Sequence, residues 1–158
     1  MSNSQLIDRY ATGPTLLQQA LVGMSPEQLR ARPVPGKWST HEVICHLADF
    51  EPVYLDRMKR VVAQDEPTFF GGDPDLFADK LAYDARDTQE ELALIVASRV
   101  HMARILRTLD ERAFQRRGIH SENGPMTLEK LLTNVTNHIP HHIEFIREKR
   151  RALGLSAE

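Results

Sequence analysis

The 158-residue sequence is poor in thiols: it holds one cysteine, Cys45, so no intrachain disulfide can form and a zinc finger built from several thiolates is excluded. Any metal must therefore be held by nitrogen and oxygen, and a lone thiol fits a reducing compartment. Long hydrophobic runs are missing too; no apolar stretch approaches the roughly 18 residues of a membrane span. The opening residues, Met1 to Leu6, lack the basic stretch followed by an apolar run that marks a secretory signal. The expectation is a cytoplasmic protein that does not enter a bilayer. An excess of positive charge is also absent, with 20 Lys and Arg against 22 Asp and Glu, which argues against a nucleic-acid partner. The one basic group, Arg147, Lys149, Arg150 and Arg151, is interrupted by Glu148 and reads as a solvated helix end, where cations complement the macrodipole.

What remains is the balance of an ordinary globular chain, 41% hydrophobic and 27% charged, long enough to bury one core. A single domain spanning 1–158 is expected. Apolar residues recur at helical spacing in four stretches, and nowhere do apolar and polar residues alternate over a sustained run. The class is all-α, a four-helix bundle with no strands. The first stretch, residues 5–24, carries Leu6, Tyr10, Leu17, Ala20 and Met24 on one stripe, with Gly13-Pro14 as an expected kink or break. Ser25-Pro26-Glu27 opens a short helical turn. A loop over 32–38 with two prolines and a glycine leads to Ser39-Thr40-His41-Glu42, a capping box that starts the second long helix. Its inward stripe is Val43, His46, Phe50 and Val53, and Pro52 should bend it. Residues 66–86 form a long connection rich in Gly, Pro and Asp, a candidate lid or crossover. The third helix begins at Asp87 and continues through Leu92, Ile95, Val96, Val100, Ala103 and Leu106. A break over 118–125 precedes the fourth, capped by Thr127, whose seam is Leu128, Leu131, Val135, His138, His142 and Phe145.

Three histidines therefore occupy places that a bundle core gives to aliphatic or aromatic residues. A buried polar group without a partner costs on the order of 1–3 kcal/mol, so each ring needs a hydrogen bond or a metal. His138 and His142, four apart, point the same way from one helix, and His46 on a facing helix completes a three-nitrogen face. Neutral imidazole suits Zn(II) and Ni(II) and, less selectively, Fe(II) or Co(II). Three protein ligands leave positions open for water or substrate. The residues alone leave a second reading standing, in which the histidines bond to backbone, water, Asn134 or Asn137. His141 competes with His142 as partner of His138 but lies off the seam. His41, in a helix first turn, reads as an exposed polar residue, and His101 and His120 have no histidine on the same face. Cys45 reads as a packing residue and Trp38 as an anchor for the incoming loop. Glu42 and Asp49 flank His46 on its helix face, Glu42 as part of the cap. Asp49 is the candidate to orient the second nitrogen of His46 or to accept a proton.

The run Pro35-Gly36-Lys37-Trp38-Ser39, then Glu42-Val43 and His46-Leu47-Ala48-Asp49-Phe50-Glu51, followed much later by His138-Ile139-Pro140-His141-His142, resembles the DinB-like superfamily, specifically its DinB_2 branch. The resemblance implies a four-helix bundle with a long crossover loop, often a homodimer, binding a divalent metal through one histidine of the second helix and two of the last. These map onto His46, His138 and His142. Among members with a known activity are thiol-dependent transferases, such as bacillithiol S-transferases, and a mycothiol-dependent maleylpyruvate isomerase; many others carry only the name of metal-dependent hydrolase. The implied function is a metal-dependent S-transferase or hydrolase acting on a small molecule, with a low-molecular-weight thiol as a possible cosubstrate. The competing expectation is a non-enzymatic dimeric bundle whose metal is structural or adventitious. Pro140, inside the ligand turn, departs from the family pattern.

Overall fold

The computed structural model describes residues 2–156. In chain order the elements are α1 (Asn3–Leu21), α2 (Pro26–Arg30), α3 (Thr40–Ala63), β1 (Thr68–Phe69), α4 (Pro74–Lys80), α5 (Thr88–Leu106), β2 (Arg117–His120), β3 (Gly124–Thr127) and α6 (Leu128–Ala152). The four long helices form the bundle. α3 and α6 each pack on two neighbours, α3 on α5 and α6, and α6 on α1 and α3, while α1 also packs on α5. The links from α1 to α3 and from α5 to α6 thus join helices on opposite corners of the bundle. The connection over 64–87, which carries β1 and α4, joins neighbours.

Helix starts follow from side-chain capping. Ser39 accepts from the Glu42 amide while the Glu42 side chain accepts from that of Ser39, and Ser25 and Gln28 do the same at α2 with Pro26 in the first turn. Asp87 accepts from the amides of Gln89 and Glu90, and Thr127 from that of Lys130. A further capping box, Ser2 with Gln5, starts α1 at Asn3.

At Gly13-Pro14, where a kink or a break was expected, the helix is not broken: α1 runs through it, as α3 runs through Pro52 and α6 through Pro140. The reason at α1 is on α5. Pro14 has no amide to offer the Tyr10 carbonyl, and Arg99 Nη1 donates to that carbonyl at 3.0 Å instead. Gly13 makes the room, since a Cβ there would stand 2.1 Å from Arg99 Nη1. Arg99 also donates to Glu51 Oε1 through Nε at 2.8 Å and through Nη2 at 2.5 Å, and to the Val135 carbonyl at 2.7 Å. Both side chains of the pair are 0% exposed. One guanidinium on α5 therefore bonds to α1, α3 and α6 together. The ion pair lies between the two halves of the apolar core, one around Tyr10, Met58, Met102 and Leu131, the other around Leu17, Ile44, Ile95 and Ile146. Val100, expected on the inward stripe of α5, faces solvent; the inward place beside it belongs to Arg99.

Strands were not expected, yet β1 pairs with β2 in parallel and β2 with β3 antiparallel, in the order β1-β2-β3. Each is two to four residues long, too short for any alternation to register. Gly118 is required there, because a Cβ would meet Phe69 Cε1 at 2.4 Å and the Pro67 carbonyl at 2.7 Å. No described helix is long and apolar enough to cross a membrane.

Candidate metal centre

Because α3 and α6 are neighbours, the core-facing side chain of His46 meets those of His138 and His142. His46 Nε2 lies 3.0 Å from His138 Nε2, which lies 3.1 Å from His142 Nε2. All three ligand atoms fall within 4.8 Å of one another, and no carboxylate or thiol joins them among the described residues. Aromatic rings wall the cluster: Trp38 and Phe50 stand 5.3 and 4.8 Å from the His46 ring, and Tyr54 stands 6.4 Å from that of His138.

Burial sets the protonation state. It pushes His46 down to about 4, against the pull of Asp49 and Asp75, and His142 down to about 3 with help from His46, His141 and Lys149. His138 is pushed down to about 2 by burial first and then by the adjacent imidazoles. All three rings are neutral at pH 7, the form that ligates metal.

The donor set fits a divalent ion. Nε2 of His138 offers either one N–H or one lone pair, and faces two other Nε2 atoms at hydrogen-bond distance; neutral rings cannot satisfy both contacts. A cation at the shared point takes all three lone pairs. Nitrogens about 2.0–2.1 Å from one ion stand about 2.8–3.4 Å apart for bond angles between a right angle and the tetrahedral value; the His46–His138 and His138–His142 separations, 3.0 and 3.1 Å, fall in that interval, and the ligand atoms of His46 and His142 lie within 4.8 Å of each other. The Nδ1 atoms of all three rings are buried with no hydrogen-bond partner among the described residues.

That last observation bears on Asp49. Its carboxylate does not reach the second nitrogen of His46. Oδ2 accepts from the Tyr83 hydroxyl and Oδ1 from Arg86 Nη1, each at 2.8 Å, and Arg86 is held in turn by Glu91. Asp49 acts on His46 only through its field. Glu42 is likewise committed, to the cap and to Arg32 Nε at 2.9 Å. His141 is exposed, packing on Phe145 rather than entering the cluster. His41, expected at the surface, is 1% exposed, with Nε2 donating to the Tyr83 carbonyl and Nδ1 against Thr88 Oγ1, each at 2.7 Å. A helix first turn can be buried when neighbouring segments supply its partners. His120 is buried as well, accepting from the amides of Glu122 and Asn123. Cys45 is buried and free, and Trp38 packs on the half of the core nearer the imidazoles.

A cleft of about 240 Å³ opens beside His142, lined by Trp38, Val43, Asp75, Phe145 and Lys149 among others. Of the 69–75 loop, Asp75 lines this cleft while Phe70 is turned to solvent. The basic end of α6 is not uniformly solvated: Lys149 and Arg150 are 2% and 6% exposed. The signal was in the seam, whose steps of three and four from Leu128 to Phe145 next fall on Lys149.

A family model described as the DinB superfamily matches residues 9–146. The "Putative metal-dependent hydrolase YfiT" of Bacillus subtilis is 29% identical over 90% of this chain and 81% of its own length. A protein of Geobacillus thermodenitrificans with the same hydrolase designation is 31% identical over 89% of this chain and 80% of its own. The solved structure of Bacillus subtilis YfiT, described as an unusual four-helix bundle topology, superposes with a TM-score of 0.90 at 28% identity, covering 99% of this chain and 91% of that one.

Proposed function

The chain belongs to the DinB superfamily, and on that premise we propose that it is a metal-dependent enzyme whose divalent ion, Zn(II) or Ni(II), is held by His46, His138 and His142. The observation that carries the reading is the convergence of three imidazoles, His46 and His142 buried and His138 half-buried, beside an open cleft. A divalent ion with three nitrogen ligands supplies, when bound, a nucleophile at neutral pH by lowering the pKa of a coordinated water or thiol. The relatives' designation as hydrolases favours water and an amide or ester substrate.

The chain's own residues do the rest. Rigid helices fix the three rings, which lowers the cost of organising the site. Trp38, Phe50 and Tyr54 keep the surroundings apolar, which strengthens electrostatic interactions at the reacting atoms. The Asp49 carboxylate, locked by Tyr83 and Arg86, contributes a fixed negative field on the His46 side.

The test is elemental analysis of the purified protein and of His138→Ala, followed by assays of metal-free and reloaded protein on amides and esters, with and without a low-molecular-weight thiol. The expected result is about one equivalent of metal in the parent, at least tenfold less in the variant, and turnover that returns on reloading. Equal metal in both proteins, or turnover that survives stripping, would overturn the reading. Turnover only with the thiol present would redirect it to S-transfer.

A further inference from the structure

Lys149 is a buried cation on the wall of the cleft beside His142; Arg57, also buried and without a carboxylate partner among the described residues, donates to the Phe70 carbonyl and lines a different cavity. Arg99 is neutralised by Glu51 and Arg86 by Asp49 and Glu91, while Arg150 donates to the carbonyls of Ala20, Val22 and Ser156. Lys149 is 2% exposed, yet Nζ donates only to the Phe145 carbonyl, at 3.2 Å, and otherwise lies against the Phe145 ring. Among the described residues no carboxylate comes within 4.0 Å of it. An ammonium has three donors, so two are left without an acceptor on the wall of the cleft beside His142. A buried charge without a counter-ion is costly, and a bound anion removes the cost.

We infer that this cleft is an anion-binding subsite in which Lys149 holds the carboxylate of a short carboxylic-acid substrate whose reacting group lies at the three imidazoles. The inference deepens the proposed function, of which it needs only the location of the site. Lys37 lines the cleft with no ion-pair partner among the described residues, and Asp75 and Glu148 line it too. Burial pushes the Lys149 ammonium below the ordinary lysine range; Glu148 opposes this, Lys37 adds to it and Glu42 opposes it. Neither Glu148 nor Glu42 forms an ion pair with Lys149 Nζ.

Geometry limits the ligand. Side chains on a helix lean toward its N-terminus, and Nζ accordingly reaches the level of Phe145. Phe145 is three residues beyond His142, about 4.5 Å along the axis at about 1.5 Å per residue. Lys149 and His142 therefore line one cleft from the same helix. A volume of about 240 Å³ excludes long acyl chains, and Trp38, Val43 and Phe145 offer apolar sides to the carbon atoms between.

The sequence contains one tryptophan, and because it is Trp38 in the cleft wall, its emission reports occupancy directly. The experiment titrates the full chain, metal-free and metal-loaded, with butyrate and with the neutral isostere butyramide. Expected is butyrate binding at least tenfold tighter than butyramide in both forms. Lys149→Met and Lys149→Gln should each abolish that preference while metal content stays at the parent value and the melting temperature does not fall. Equal affinity for butyrate and butyramide in the parent overturns the inference, as does a preference that survives both variants. Butyrate binding that requires metal and ignores Lys149 also overturns it, by showing direct ligation to the ion. A parent that binds no metal but keeps a Lys149-dependent preference retains the anion site and discards the metal reading. Should both variants fail to fold, the parent comparison alone decides.

Discussion

At the scale of single residues, burial decides which side chains matter. Arg99 and Glu51 are the largest polar commitment in the core, and removing one partner leaves an uncompensated buried charge. Arg99→Met is expected to cost about 3–5 kcal/mol, read as a shift in the urea midpoint, whereas Arg99→Met with Glu51→Leu should recover much of that loss. Gly13 supplies an independent check. Ala at an exposed helix position gains up to about 1 kcal/mol over Gly, but here its Cβ would stand 2.1 Å from Arg99 Nη1. Gly13→Ala is therefore destabilising in the parent and neutral or stabilising in the Arg99→Met background; equal effects in both backgrounds would show that the clash is relieved elsewhere. The sequence pattern marked Gly13-Pro14 as a weak point because the compensating donor lies 85 residues away, at Arg99. No local rule connects them.

At the scale of elements, the start of α3 is set by its cap. Ser39→Ala should cost about 1 kcal/mol of stability and leave metal content unchanged, since His46 lies two turns inside the helix; loss of metal would show that the cap also aims the ring. Helix starts were readable because capping chemistry involves residues two or three apart, as at Ser25, Ser39, Asp87 and Thr127. The strands were not, because pairing partners such as Thr68 and Ile119 are brought together by the bundle and their local composition is unremarkable. The α6 seam was readable as far as Phe145. Beyond it, charge obscured periodicity, and Lys149 passed as a surface residue although its place is the next core position.

At the scale of the whole molecule, the buried imidazoles couple stability to pH. In the metal-free protein the folded rings of His46, His142 and His138 stay neutral down to about 4, 3 and 2, against an ordinary value of 6.5. Below 6.5 the unfolded chain therefore binds more protons than the folded one, and stability falls as pH falls. Urea unfolding of metal-free protein between pH 7.5 and 4.5 should show this decline, and His138→Leu should flatten it; an unchanged slope would place the sensitivity elsewhere. Reloading metal should raise the midpoint at pH 7.5, and the gain should shrink on acidification as protons compete for the ligands. Retained cooperative unfolding after chelation is expected, because both halves of the apolar core and the Arg99 pair are independent of the site.

Periodicity and capping act over a few residues, so the helical class, the starts of α3, α5 and α6 and the placement of His46, His138 and His142 on inward faces were legible from the chain alone. Packing of the helices brings one ligand nitrogen from each ring within 4.8 Å of the others. Only the tertiary structure decided that Asp49 is taken by Tyr83 and Arg86, that Arg99 mends the gap left by Pro14, and that Lys149 lacks a counter-ion. Each depends on which helices become neighbours, and a partner's distance in space is not encoded in its distance along the chain.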